Sequence, residues 1–255
     1  MQDRTPLLLL PGLMNDARVW DAVRGLLPAA REVRVAPTDI ADTVALLARA
    51  ALESLPAGRF ALAGFSLGGY VALEICRQAP ERIAGIALLA TGGRADSDAS
   101  RANRERMVAA INSGSAGFEQ VARPFAQRVV HASRSEDAQL MDLLVDMARR
   151  VGADGFVRQQ TAAMNRPDSR ETLQALHCPA LVVAGEDDQV APPALGQEMA
   201  ALLAGEVETL VVPQCGHMVT LEQPAAVAGA MAGWLARVDA AERASASGGS
   251  AESRG

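Results

Sequence analysis

Short runs of branched or long aliphatic residues, each bounded by Gly, Pro or charge, occur at 7–10, 60–63, 83–89 and 181–184. Continuous apolar runs of this length fit strands buried on both faces, as in a parallel sheet. Residues 33–35 and 207–212 are weaker strand candidates. Between these runs lie helical patterns at 42–55, 67–79, 193–203 and 224–238. In the first of them Val44, Leu47, Ala48, Ala51, Leu52 and Leu55 recur at spacings of three and four, which gives a single apolar stripe. Strand and helix alternating in this way predict an α/β fold: a mostly parallel sheet of about six strands flanked by helices.

One stretch breaks the alternation. From residue 92 to about 170 there is no strand pattern, only helical patches such as 102–111 and 137–149. It follows directly on the run at 83–89, where a loop would leave the carboxyl edge of the sheet, and ligands bind at that edge in such folds. A helical cap inserted after 83–89 is therefore expected, with a helical elaboration packed elsewhere as the alternative. Residues 1–240 read as one domain containing that cap. Residues 241–255 are mostly Ala, Ser, Gly and Glu, with too little bulky surface to bury, and are expected to be a loose tail. No internal repeat is apparent.

Composition narrows the function classes. A chain of 255 residues with 49% apolar side chains can build one sizeable core. The net charge of −6 is spread without a block of like sign, so neither nucleic acid nor an anionic membrane is an expected partner. Every basic residue is Arg, which excludes Schiff-base or general-base chemistry by Lys. Cys76, Cys178 and Cys215 are odd in number and irregular in spacing, arguing for reduced thiols and against a disulfide framework or a metal site. The apolar run at 7–10 closes at Pro11-Gly12 and lacks the pattern of a cleaved signal, and no stretch is long enough to span a bilayer; the cytoplasm is the default address.

The chemistry concentrates in three segments. Residues 60–70 read Phe-Ala-Leu-Ala-Gly64-Phe-Ser66-Leu67-Gly68-Gly-Tyr, a Gly-x-Ser-x-Gly between an expected strand and an expected helix. A serine on so sharp a turn needs small neighbours, hence Gly64 and Gly68, and projects its hydroxyl above the sheet edge. The helix that follows points its N-terminal amides at negative charge developing on a substrate. The pattern alone also fits a glycine-rich turn that merely joins strand to helix. A Walker loop is excluded because Gly-Lys-Ser/Thr is absent.

Across residues 6–235 the chain resembles the α/β-hydrolase family, in particular its small esterase and C–C hydrolase-like members. The resemblance implies a triad in the order Ser, acid, His. Residues 181–192, Leu-Val-Val-Ala-Gly185-Glu-Asp-Asp188-Gln-Val-Ala-Pro192, match the family's Gly-x-x-Asp-x-x-x-Pro pattern and select Asp188 over Glu186 and Asp187. The segment Gly216-His217, leading to a helix near Pro224, matches the family's Gly-His loop and makes His217 the base; His131 reads as a surface cap residue and His177 as a linker. Cys215 has no second histidine to activate it and reads as loop packing. The oxyanion hole is implied to be the backbone N–H groups of Leu13 and Leu67, although Pro11 stands where the family has histidine, which puts the geometry of that loop in question. With the first run beginning at Leu7, the family's opening hairpin is not expected.

The resulting expectation is a serine hydrolase acting on an ester-like bond of a small organic substrate, with neither metal nor cofactor. C–C hydrolysis, a lyase step or acyl transfer on the same triad is the first rival, and a hydrolase-like receptor with little turnover the second. In the cap, Arg123, Phe125, Arg128, Phe156, Arg158 and Met164 are candidates to face an apolar acyl group or, through arginine, a carboxylate. The oligomeric state is left open, a homodimer included.

Overall fold

The computed structural model describes residues 4–28, 31–114 and 117–252. Six parallel strands, β1 (Leu7–Leu10), β2 (Val33–Val35), β3 (Phe60–Phe65), β4 (Ile83–Leu89), β5 (Ala180–Gly185) and β6 (Val207–Val212), pair in the order β2-β1-β3-β4-β5-β6. The apolar runs are continuous because both faces are covered. Leu7, Leu9, Ala63, Phe65, Ala87 and Val183 contribute to one buried cluster. Leu8, Leu10, Leu62, Leu88 and Val182, pointing the other way, contribute to another.

The hand of the connections decides which helix covers which face. The step from β1 to β2 runs one way across the sheet and carries α1 (Asp21–Leu26), whose Val23 joins the first cluster. The steps into β3, β4 and β6 run the other way and carry α2 (Val44–Glu53), α3 (Leu67–Gln78) and α8 (Pro193–Leu202). Right-handed crossovers in opposite directions must lie on opposite faces, and Leu47, Val71 and Met199 of these helices do join the second cluster. The stripe read in residues 42–55 is the buried face of α2.

Between β4 and β5 the chain leaves the sheet to form the cap: α4 (Asp98–Asn112), α5 (Phe118–Val129) and α6 (Ala138–Met164). The excursion closes on itself, since the Ser169 N–H donates to the Gly93 carbonyl at 2.8 Å. The short α7 (Arg170–Gln174) then leads to β5. At Gly152 (φ 71°) α6 kinks, so its two halves point differently. The cap has its own small cluster of Ala122, Ala148 and Phe156, into which Met14 from the loop after β1 inserts.

After β6 come α9 (Val219–Glu222) and α10 (Pro224–Glu252). Within the segment read as a loose tail, α10 continues through Glu252, and 253–255 lie outside the described residues. The sequence argument asked for buried apolar surface, which a helical extension does not require. Once the segment up to Val238 is packed, each further residue adds one backbone hydrogen bond without a new nucleus, and Ala, Glu and Arg favour that state. Glu242 also reaches Arg59 at 3.2 Å. Among the described residues no helix is long and apolar enough to cross a membrane.

Candidate active site

β1 and β3 are neighbours whose onward connections go opposite ways, so a crevice opens between their carboxyl ends. Ser66 sits there, between β3 and α3, with φ 53° and ψ −116°. That strained backbone is held from two sides: the Ser66 N–H donates to Leu89 O at 2.9 Å, and the Thr91 hydroxyl donates to Ser66 O at 2.8 Å. A Cβ on Gly64 would collide with the backbone of Gly68, and a Cβ on Gly68 with the carbonyls of Leu10 and Pro11. Both glycines are thus required for the start of α3 to press against β1 and β3.

His217 and Asp188 approach from the loops after β6 and β5. His217 Nε2 lies 2.9 Å from Ser66 Oγ, and Nδ1 lies 2.8 Å from Asp188 Oδ2. An ionised carboxylate can only accept, so Nδ1 carries the proton and Nε2 is left with a lone pair facing the serine hydroxyl. The other oxygen of Asp188 accepts from Val190 N at 2.7 Å and Ala191 N at 2.9 Å. Burial pushes the Asp188 carboxyl up, but the hydrogen bond from His217, its positive charge when protonated, and the two amides together hold it below the usual carboxylate range. Glu186 is exposed and Asp187 reaches instead towards His131, 3.4 Å away, so of the three neighbouring acids Asp188 alone meets His217.

The histidine loop is fastened from behind. The His217 N–H donates to Val129 O at the end of α5 (2.9 Å). Buried Glu222 accepts from Gly216 N (3.3 Å), Met218 N (3.1 Å) and His131 N (2.8 Å), tying the loop to the turn that follows α5 in the cap. Burial and then the Glu222 and Asp188 carboxylates push the Cys215 thiol up to about 12, which makes it a packing residue. His177 is exposed in the linker before β5.

Leu13 and Leu67 flank the serine on the wall of the same cavity, and among the described residues neither backbone N–H has a protein acceptor. Without the family's histidine at Pro11, the loop is braced by a buried chain of polar groups. Gln159 of α6 accepts from Met14 N at 2.9 Å and donates to Thr38 Oγ1 at 3.3 Å, and Thr38 donates to Pro11 O at 3.3 Å. Met14 takes a left-handed conformation (φ 58°) in this loop. The roles of Gln159, Thr38 and Glu222 escape sequence reasoning, because each depends on partners remote in the chain.

A cavity of about 320 Å³ opens over Ser66 and His217. The cap supplies much of its wall, through Asn103, Arg104 and Met107 of α4, Phe125 and Arg128 of α5 and Gln160 of α6. Of the six cap side chains singled out from the sequence, Phe125 and Arg128 line it. Phe156 is instead buried in the cap cluster, Arg158 binds Asp39 O at 2.6 Å, and Met164 is buried; neither they nor exposed Arg123 line the cavity. Arg104 lies in the patch read as helical at 102–111, where nothing local distinguishes it from Arg101 or Arg106. Among the described residues no group of three or more His, Cys, Asp or Glu could hold a metal ion.

Residues 7–230 match the family model of the alpha/beta hydrolase family, and the chain belongs to that family. It is 29% identical over 237 residues to the dihydrolipoyllysine-residue acetyltransferase component of the acetoin cleaving system of Pseudomonas putida, covering 86% of this chain but only 60% of that relative's length. It is also 29% identical over 248 residues to the 2-succinyl-6-hydroxy-2,4-cyclohexadiene-1-carboxylate synthase of Enterobacter sp. (strain 638), covering 89% of this chain and 90% of the relative. Among solved structures, a malate-bound thermophilic esterase from Thermogutta terrifontis superposes with a TM-score of 0.82 at 29% identity, over 92% of this chain and 90% of the other.

Proposed function

We propose that the protein is a serine hydrolase that cleaves an ester-like bond of a small organic substrate through an acyl-enzyme. The observation that carries this reading is the unbroken hydrogen-bonded chain from Ser66 Oγ through His217 to Asp188, at the floor of a cavity. In this mechanism Ser66 attacks the carbonyl as His217 Nε2 takes its proton, and Asp188 stabilises the imidazolium. The Leu13 and Leu67 amides hold the oxyanion, each worth roughly 3 kcal/mol in the transition state. His217 protonates the leaving group, and water repeats the sequence to release the acid. Similarity to the Thermogutta esterase supports this reading. A lyase or C–C-cleaving outcome on the same triad is the second reading, favoured by the nearly full-length match to the Enterobacter synthase.

The test is multiple-turnover hydrolysis of p-nitrophenyl esters from acetate to octanoate by the wild type and Ser66→Ala. The wild type is expected to turn over the shorter chains best, since about 320 Å³ is near the lower end for small-molecule sites. Ser66→Ala is expected to lose on the order of 10⁴-fold or more in kcat with an unchanged melting temperature. Turnover retained in a clean Ser66→Ala preparation would overturn the assignment.

A further inference from the structure

The chain carries 30 acidic residues against 24 basic ones, yet the cavity over Ser66 is lined by two arginines and no carboxylate. Arg104 is fixed in the wall: its Nε donates to Asp96 Oδ2 at 2.8 Å and its Nη1 to Gln160 Oε1 at 2.7 Å. Asp96 is almost fully buried, with a side chain only 2% exposed, and is shared, because Arg166 also donates to it. Arg166 stacks over the ring of Tyr70, 4.0 Å from its centroid, and Tyr70 lines the same cavity. One carboxylate therefore serves two guanidinium groups, leaving a net positive charge against the cavity wall. Arg128 of α5, an exposed side chain that also lines the cavity, has no acceptor or carboxylate partner among the described residues.

A positive cluster of this kind, part-buried and with guanidinium donors to spare, is stabilised by an anion that arrives with the ligand. We infer that the substrate carries a carboxylate in addition to the scissile carbonyl, and that Arg104, positioned by Asp96 and Gln160, binds it with Arg128 closing on it from α5. This rests on the hydrolase reading and names its substrate class. The neutral side chains on the wall, Met107 and Phe125, would face the short aliphatic part between the two ends.

The experiment compares monomethyl glutarate with methyl pentanoate, in which a methyl group replaces the carboxylate, by methanol release at low ionic strength. Wild type, Arg104→Gln and Arg128→Gln are assayed, and glutarate binding to Ser66→Ala is measured by calorimetry with and without Arg104→Gln. A charge-assisted, bidentate contact predicts a preference in kcat/KM of at least about tenfold for the anionic ester in the wild type. That ratio is expected to collapse towards one in Arg104→Gln and to shrink in Arg128→Gln, a variant that breaks no described bond. A merely structural role for Arg104 would lower both rates and leave the ratio intact, which would overturn the inference. If both esters are cleaved equally and glutarate does not bind, the inference falls and the hydrolase reading stands. If neither ester turns over but glutarate binds in an Arg104-dependent way, the anion site stands and the hydrolase reading falls.

Discussion

The edge of the sheet and the cap meet over Ser66, but they hold their residues in place by different means. At the edge, position is set by backbone against backbone: α3 starts where Gly64 and Gly68 let three segments touch, and the strands beneath are buried on both faces. In the cap, α5 and α6 bury apolar side chains, but α4 has no fully buried residue, and the parts nearest the site are also tied by long polar side chains such as Arg104, Gln159 and Arg158 reaching across to partners. The first kind of construction fixes atoms tightly and tolerates little. The second can be altered one side chain at a time, at residues that line the cavity over Ser66.

The largest effect expected in the tightly built half is from Asp188→Asn. The amide can present its N–H to His217 Nδ1 and hold the wrong tautomer, so kcat/KM should fall about 10⁴-fold with little change in KM. The same variant has a pH signature. Because the folded-state pKa of Asp188 lies below its ordinary value of 3.8, the ionised group stabilises the fold above that value, and the contribution is lost as pH falls through the depressed pKa. Any stability advantage of wild type over Asp188→Asn in urea titrations should therefore be present at neutral pH and shrink in acid. An advantage that grew in acid would contradict the direction assigned here.

Gly68→Ala comes next. Its methyl would strike two main-chain carbonyls that cannot rotate away, so about 3 kcal/mol or more of stability should be lost together with activity, read from thermal and urea unfolding. On the cap side, Gln159→Leu keeps the volume but strands the Met14 N–H, at a cost of about 1–3 kcal/mol, with a fall in kcat as the Leu13 amide shifts. An equal or larger loss of stability from Gln159→Leu than from Gly68→Ala would break the comparison.

What could be read from the sequence follows the same division. Parallel strands buried on both faces write themselves as unbroken apolar runs, and the turn at Ser66 writes itself as two obligatory glycines, so the sheet and the elbow were legible in the residues themselves, while Asp188 and His217 were picked out through the resemblance of their loops to family motifs. The shortest strand, β2, left a weak signal because it lies at the sheet's edge and is only half-buried. The braces were silent. A glutamine that serves a loop 145 positions away, or a glutamate that gathers three amides from two segments, looks like any polar residue until the chain is folded. The α10 extension was silent for the opposite reason: its form follows from local propensity and from the helix before it, and not from burial.

The bond between Gly93 and Ser169 has a consequence for how such a protein can change over time. Residues 94–168 leave and rejoin the sheet at nearly one point, so they form a cassette whose ends are already joined. A different cassette could be grafted at that junction without respacing the strands that carry Ser66, Asp188 and His217. Chimeras cut at Gly93 and Ser169 are therefore the natural units to exchange, with constraints written into the recipient: the incoming segment must do for the Met14 amide what Gln159 does, and must supply an acceptor for the His217 N–H and a donor for Glu222 as Val129 and His131 do.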